Sequence, residues 1–155
     1  MNAAEIKKLV QDIVAKSQQL SIAHTFEKNT PVNYACIFTH SVTEYEEMLK
    51  VAREFGAVAQ ETPTGIVFGI PPLQTVSGDL RLLKIRKPDS KRPERGDADF
   101  TISDYSAFKK KFLGKPGFSI VERADYEMIE LIDSSYDVIV YYSHPTLAEI
   151  LKLNK

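Results

Sequence analysis

The sequence has one cysteine, no tryptophan and no excess of charge of either sign, and each shortage excludes something. Cys36 has no second thiol to pair with, and it lies in the apolar run Tyr34-Ala35-Cys36-Ile37-Phe38, so it reads as a buried core residue, not a nucleophile. Twenty Lys+Arg against 21 Asp+Glu leave a net charge of −1, which gives no global case for nucleic acid or an anionic membrane as partner. The seven glycines are dispersed at expected helix ends and turns, with no phosphate-binding fingerprint among them. The longest uncharged stretch, Thr62 to Gly78, carries three glycines and three prolines and cannot form a membrane helix. Glu5, Lys7, Lys8, Asp12 and Lys16 break any apolar leader near the start, so the expectation is a cytoplasmic protein. His24, His40 and His144 share no metal-ligand spacing and read as helpers of turns or caps.

What remains is enough for a core of ordinary size: 155 residues, 43% hydrophobic and 10% aromatic, expected as one domain over 1–155. Ile6, Leu9, Val10, Ile13, Val14 and Leu20 recur at helical spacing, with Asn2 and Glu5 placed as N-cap and capping-box partner. They predict an amphipathic helix over residues 2–23, its stripe packed on the same chain or a dimer partner. The segment His24 to Asn33 reads as a loop.

From residue 34 the same order of elements is predicted twice. The first pass, over 34–87, has a strand at Tyr34–Thr39, a helix opened by Ser41 or Thr43 and closed by Gly56, then strands at Ala57–Glu61, Gly65–Ile70 and Leu80–Arg86. A Pro71-Pro72 turn precedes the last of these. Residues 88–96 form an extended linker in the basic, proline-containing run Lys84 to Asp97. The second pass, over 97–142, has a strand at Ala98–Ser103, a helix carrying Tyr105, Phe108 and Phe112, and strands at Phe118–Arg123, Tyr126–Ile132 and Asp137–Tyr142. A short C-terminal helix over 143–155 presents Leu147, Ile150 and Leu151. The fold class is therefore α+β, two β-α-β-β-β modules with one helix added at each end.

The two modules, with matching strand-to-helix passages at Phe38-Thr39-His40-Ser41 and Phe100-Thr101-Ile102-Ser103-Asp104, resemble the vicinal oxygen chelate superfamily. That superfamily includes glyoxalase I, bleomycin-resistance proteins and extradiol dioxygenases. The resemblance covers about residues 34–142 and implies curved mixed sheets around a cleft that holds ligand or metal. Its enzymes place His, Gln or Glu ligands on the first strand of a module and a Glu on the last. Here Tyr34 to Ile37 and Leu80 to Ile85 offer no such set, and in the second module Asp97 and Asp99 could ligate but Val138 to Tyr142 has no acid where the Glu belongs, so no metal and no cofactor is expected.

Strand alternation puts Ala98, Phe100 and Ile102 toward the helices and Asp97, Asp99, Thr101 and Ser103 toward the cleft. The same parity adds Tyr126 and Glu130, and Arg86 is their expected charge partner. Clustered carboxylates beside a tyrosine suit acid–base work or a cationic ligand; the plainer alternative is a solvated face on which Asp97 and Asp99 pair Arg92 or Arg95. The basic residues from Lys84 to Arg95 and Lys109-Lys110-Lys111 read as solvated surface. Glycines between the large apolar residues of Thr64 to Leu73 leave either room for an apolar ligand or a plain buried strand. The expected function is small-molecule binding without catalysis, in a monomer or homodimer. The alternatives are a lyase- or dioxygenase-type enzyme of the same superfamily, and a non-catalytic interaction subunit docking through residues 2–20 or 146–153.

Overall fold

The computed structural model describes residues 1–152. Its first element, α1 (Ala3–Thr25), starts where the sequence places it: the Asn2 side chain accepts from the Glu5 N–H at 2.9 Å, and the Glu5 carboxylate accepts from the Asn2 N–H at 3.3 Å. The helix outruns its predicted end, taking in His24. Ser21 and Thr25 continue its buried face, with Ser21 bonded to the Tyr142 hydroxyl at 2.6 Å and Thr25 donating back to the Ser21 carbonyl. Phe26, in a left-handed conformation at φ 62°, stops it. Ile6, Val10, Ile13, Val14 and Leu20 are all buried in the main core, so this stripe packs on its own chain and is not an open docking face.

Two runs of strand, helix and three strands follow: β1 (Val32–Phe38), α2 (Val42–Phe55), β2 (Ala57–Thr62), β3 (Gly65–Thr75) and β4 (Gly78–Arg86), then β5 (Gly96–Phe100), α3 (Tyr105–Phe112), β6 (Phe118–Glu122), β7 (Glu127–Leu131) and β8 (Val138–His144). The eight strands form one mixed sheet in the order β2-β3-β4-β1-β5-β8-β7-β6. β1 is parallel to β4 and β5 to β8, while the central pair β1–β5 is antiparallel. The order therefore reads the same way outward from the centre on both sides. Helices α1, α2 and α3 cover one face, where Ala35, Ile37, Leu83, Ile85, Ala98, Phe100 and Val140 join the main core. At the centre Gly96 lets α1 and β1 approach: a Cβ there would lie 2.2 Å from the Cys36 carbonyl oxygen and 2.8 Å from Ile13 Cδ1.

Four predicted boundaries are corrected. Pro71-Pro72 is not a turn; β3 runs through both prolines to Thr75 with a register shift between Gly69 and Leu73. Pairing with β2 ends at Gly69, so no neighbour on that side needs the missing N–H groups, and the bulge takes up the other side. β5 stops at Phe100 and not Ser103: the Thr101 N–H still reaches the Pro31 carbonyl, opposite it in the β1 register, but Pro31 has no N–H to extend the ladder further. Residues 88–96 are folded onto the domain, not extended: Asp89 turns the chain by accepting from the Lys91 N–H, and Arg95 bonds Glu44 and the Phe38 carbonyl. The C-terminal helix α4 spans only Leu147–Ile150, capped by Thr146 and Glu149; the part of the expected helix at 153–155 lies outside the described residues. No described helix is long and apolar enough to cross a membrane.

Candidate functional site

The sheet face opposite the helices carries a cavity of about 530 Å³. Its wall takes residues from both edges of the sheet, Gln60 and Thr62 on β2 and Val121 on β6, as well as from the centre, so the sheet curls around it. Leu147 and Ile150 of α4 and Arg92 from the loop before β5 close the remaining sides.

Strand register sets two rows of side chains on this face of the sheet, all of which line the cavity except Ile139 and Ser119. Lys84, Cys36, Asp97 and Ile139 stand opposite one another on β4, β1, β5 and β8. Beside them run Tyr34, Asp99, Tyr141, Glu130 and Ser119. All five residues singled out from the sequence, Asp97, Asp99, Tyr126, Glu130 and Arg86, line this cavity. Tyr126 does so from just before β7.

The three carboxyls have different surroundings. Glu130 accepts from the Tyr141 hydroxyl at 2.7 Å and from Ser119, and lies 3.5 Å from Arg92. Asp99 accepts from the Ser143 hydroxyl at 2.6 Å, the Ser143 N–H and the Asn33 amide. Asp97 is buried, and among the described residues its Oδ1 has no hydrogen-bond partner. Neither aspartate pairs Arg92 or Arg95, contrary to the plainer expectation; those arginines are taken by Glu130 and Glu44. Burial, reinforced by the neighbouring charge of Asp99 and opposed by Lys84, Arg86 and Arg92, pushes the Asp97 carboxyl up to about 8. Burial also raises Asp99, to about 6, where the donors from Ser143 and Asn33 hold it back. Tyr34 and Tyr141 are raised by burial, and Lys84 is lowered by it, with Arg86 and Arg123 adding to the effect.

Cys36 is buried as expected, yet it is part of the cavity floor, its thiol raised by burial and next by Asp97. Within the uncharged stretch Gly65 to Ile70 is largely buried while Pro71 and Pro72 are exposed, and Pro63, Thr64 and Val67 line the cavity. Lys84, Arg92 and Arg123 were not assigned to the site from the sequence. Lys84 shares strand parity with Arg86, a signal that was available; the placement of Arg92 and Arg123 depends on loops. The histidines stand elsewhere: His24 bonds Asp133 at 2.9 Å, His40 bonds the Glu94 carbonyl, and His144 stacks on Tyr105 at 5.0 Å.

The donor set does not fit the metal that the superfamily resemblance implies. Asp99 and Glu130 are already committed to hydroxyl, amide and guanidinium donors, no imidazole reaches the cavity, and no described group of three or more His, Cys, Asp or Glu could hold an ion. What the arrangement offers is a neutral or weakly acidic carboxyl, phenols and cations around a partly apolar space.

No protein-family model and no curated protein matches the chain. A solved structure described as "Structural Genomics, Protein EC4020" is similar in fold, with a TM-score of 0.68, at 14% sequence identity over 95% of this chain and 93% of that one. The likeness spans nearly the whole of both chains and speaks to the fold alone: α+β, a single eight-stranded mixed sheet and four helices.

Proposed function

We propose that the chain is a small-molecule-binding protein of glyoxalase- and bleomycin-resistance-like architecture, with two β-α-β-β-β modules side by side and a ligand held in the cavity between them. The observation that carries the reading is Asp97. A folded protein leaves a buried carboxyl oxygen unpartnered at a cost of about 1–3 kcal/mol, and of the unpartnered buried side-chain atoms among the described residues Asp97 Oδ1 belongs to a residue that lines the cavity, where a bound molecule can supply the missing partner. Around it the cavity mixes polar groups with Val67, Val121, Met128, Leu147 and Ile150, the composition of a small-molecule site. The mirrored strand order supports the architecture.

A second reading, an enzyme of lyase type, draws on the same carboxyl: an acid that keeps its proton at neutral pH can donate it to a substrate. A native mass spectrum of the protein as purified tests binding. The expected result is a mass excess of an organic molecule, and its recovery chemically unchanged after prolonged incubation favours binding over turnover. A bare mass, together with no thermal shift across a library of small organic acids, amines and neutral compounds, overturns the proposal. The same spectrum measures whether the chain is a homodimer.

A further inference from the structure

We infer that the cavity takes an organic anion with an apolar body, its charged head held between Lys84 and Arg123; this rests on the reading of the cavity as a ligand site. Four cations line the cavity, Lys84, Arg86, Arg92 and Arg123, against three carboxyls. Two of the cations are neutralised within the chain: Arg92 lies 3.5 Å from Glu130 and Arg86 lies 3.2 Å from Asp89. Among the described residues no carboxylate lies within salt-bridge distance of Lys84 or Arg123; Lys84 donates to the Thr64 hydroxyl at 2.6 Å and Arg123 to the Glu122 carbonyl at 3.2 Å.

These two cations come from different halves of the chain, Lys84 from β4 and Arg123 from just past β6. β4 and β6 lie on opposite flanks of the sheet, and the curl of the sheet brings both cations to the wall of the same cavity. Like charges facing over a cavity repel, and an anion between them turns that repulsion into two attractions. The third group is Asp97, in register with Lys84 across β1 and with a buried unpartnered oxygen. Protonated, as its surroundings favour, it is a further donor and adds no negative charge. Lysine, arginine and carboxylic acid then all present donors, which an acceptor-rich head group complements and an ammonium does not. Val67, Val121, Met128, Leu147 and Ile150 supply the apolar contact for the body. The cationic ligand that the sequence offered as one reading counts Asp97, Asp99 and Glu130 as three free charges; Glu130 is paired with Arg92 and Asp97 keeps its proton, which leaves the Asp99 carboxylate alone against two cations.

Calorimetric titration with 2-naphthoate, 2-naphthamide and 2-naphthylmethylamine at pH 6.5 tests this, since the three differ mainly in the head group. The expected result is naphthoate binding at least tenfold tighter than either of the others. Lys84→Met and Arg123→Met should each weaken naphthoate at least tenfold and leave the amide unchanged. Arg123 is exposed, so its variant keeps the fold even where the Lys84 variant does not. An amine or amide that binds as well as the acid overturns the anion assignment and leaves the cavity as a ligand site. Naphthoate affinity that survives Arg123→Met overturns the placement of the head group. No binding of any of the three up to millimolar concentration overturns the assignment of an anion with an apolar body, while the ligand-site reading itself is decided by the mass spectrum and the thermal-shift library.

Discussion

Replacing Asp97 with Asn removes one titrating carboxyl from a buried position with almost no change in shape. Asp97 is 6% exposed and faces Asp99 on its own strand, Tyr34 and Cys36 on β1, Lys84 and Arg86 on β4, Arg92 from the loop and Tyr141 on β8. Its carboxyl moves from 3.8 to about 8 on folding. Between those values the unfolded chain has released the proton and the folded chain has kept it, so stability falls as pH rises, by about 1.4 kcal/mol per pH unit. The stability is fully present below the unfolded value and lost as pH passes through the folded one. The whole span sets an upper limit of about 6 kcal/mol. Water reaching the cavity screens the ionised form, which brings the expected loss to about 2–3 kcal/mol. Asp97→Asn carries no such loss. The variant and the parent should unfold alike at pH 4 in urea. The variant should be more stable by about 2–3 kcal/mol at pH 8.5, roughly 5–10 °C in melting temperature for a chain of this size. A gap that stays constant across pH, or a variant less stable than the parent at pH 8.5, refutes the reasoning.

Gly96→Ala should prevent folding to the native state, because its Cβ would sit 2.2 Å from the Cys36 carbonyl oxygen; Gly69→Ala, with its nearest neighbour at 3.9 Å, should change stability by less than about 1 kcal/mol, and circular dichroism separates the two. Arg95→Met removes a two-pronged contact to Glu44, at 2.8 and 3.1 Å, and a bond to the Phe38 carbonyl, for an expected loss of about 1–2 kcal/mol. Arg95 holds the Glu44 carboxyl below its ordinary value, so the parent should lose that stability as pH falls below about 4.5 while the variant shows a flatter acid limb in urea titrations. Ser143→Ala deletes the strongest opposition to the burial of Asp99, and the Asp99 carboxyl resonance should titrate above 6 in carbon-13 spectra; an unchanged midpoint shows that the Asn33 amide and the Ser143 N–H suffice without the hydroxyl.

Much of the architecture was legible because it is locally encoded. Asn2 and Glu5 cap α1, Ser41 caps α2, and the alternation from Asp97 to Phe100 separates a polar face from an apolar one without reference to any other part of the chain. Where local signals misled, a distant partner decided: Ser21 and Thr25 extend α1 because Tyr142 and the sheet lie beneath them, and Pro71-Pro72 stays in a strand because nothing pairs with β3 there on the β2 side. Asp97, Asp99 and Glu130 came to one face because period-two alternation carries over to any register that keeps the other face apolar.

Capping, periodicity and turn chemistry act over a few residues, and they suffice for the order of the elements and for which side of β5 is polar. Tertiary structure alone decided that Lys84 stands in line with Asp97, that Arg92 leaves its loop for Glu130, that Arg123 comes to the far side of the same cavity and that α4 closes it. Those meetings depend on pairing between strands and loops tens of residues apart. Pairing is set by the packing of a whole apolar face, which no short stretch of the chain contains.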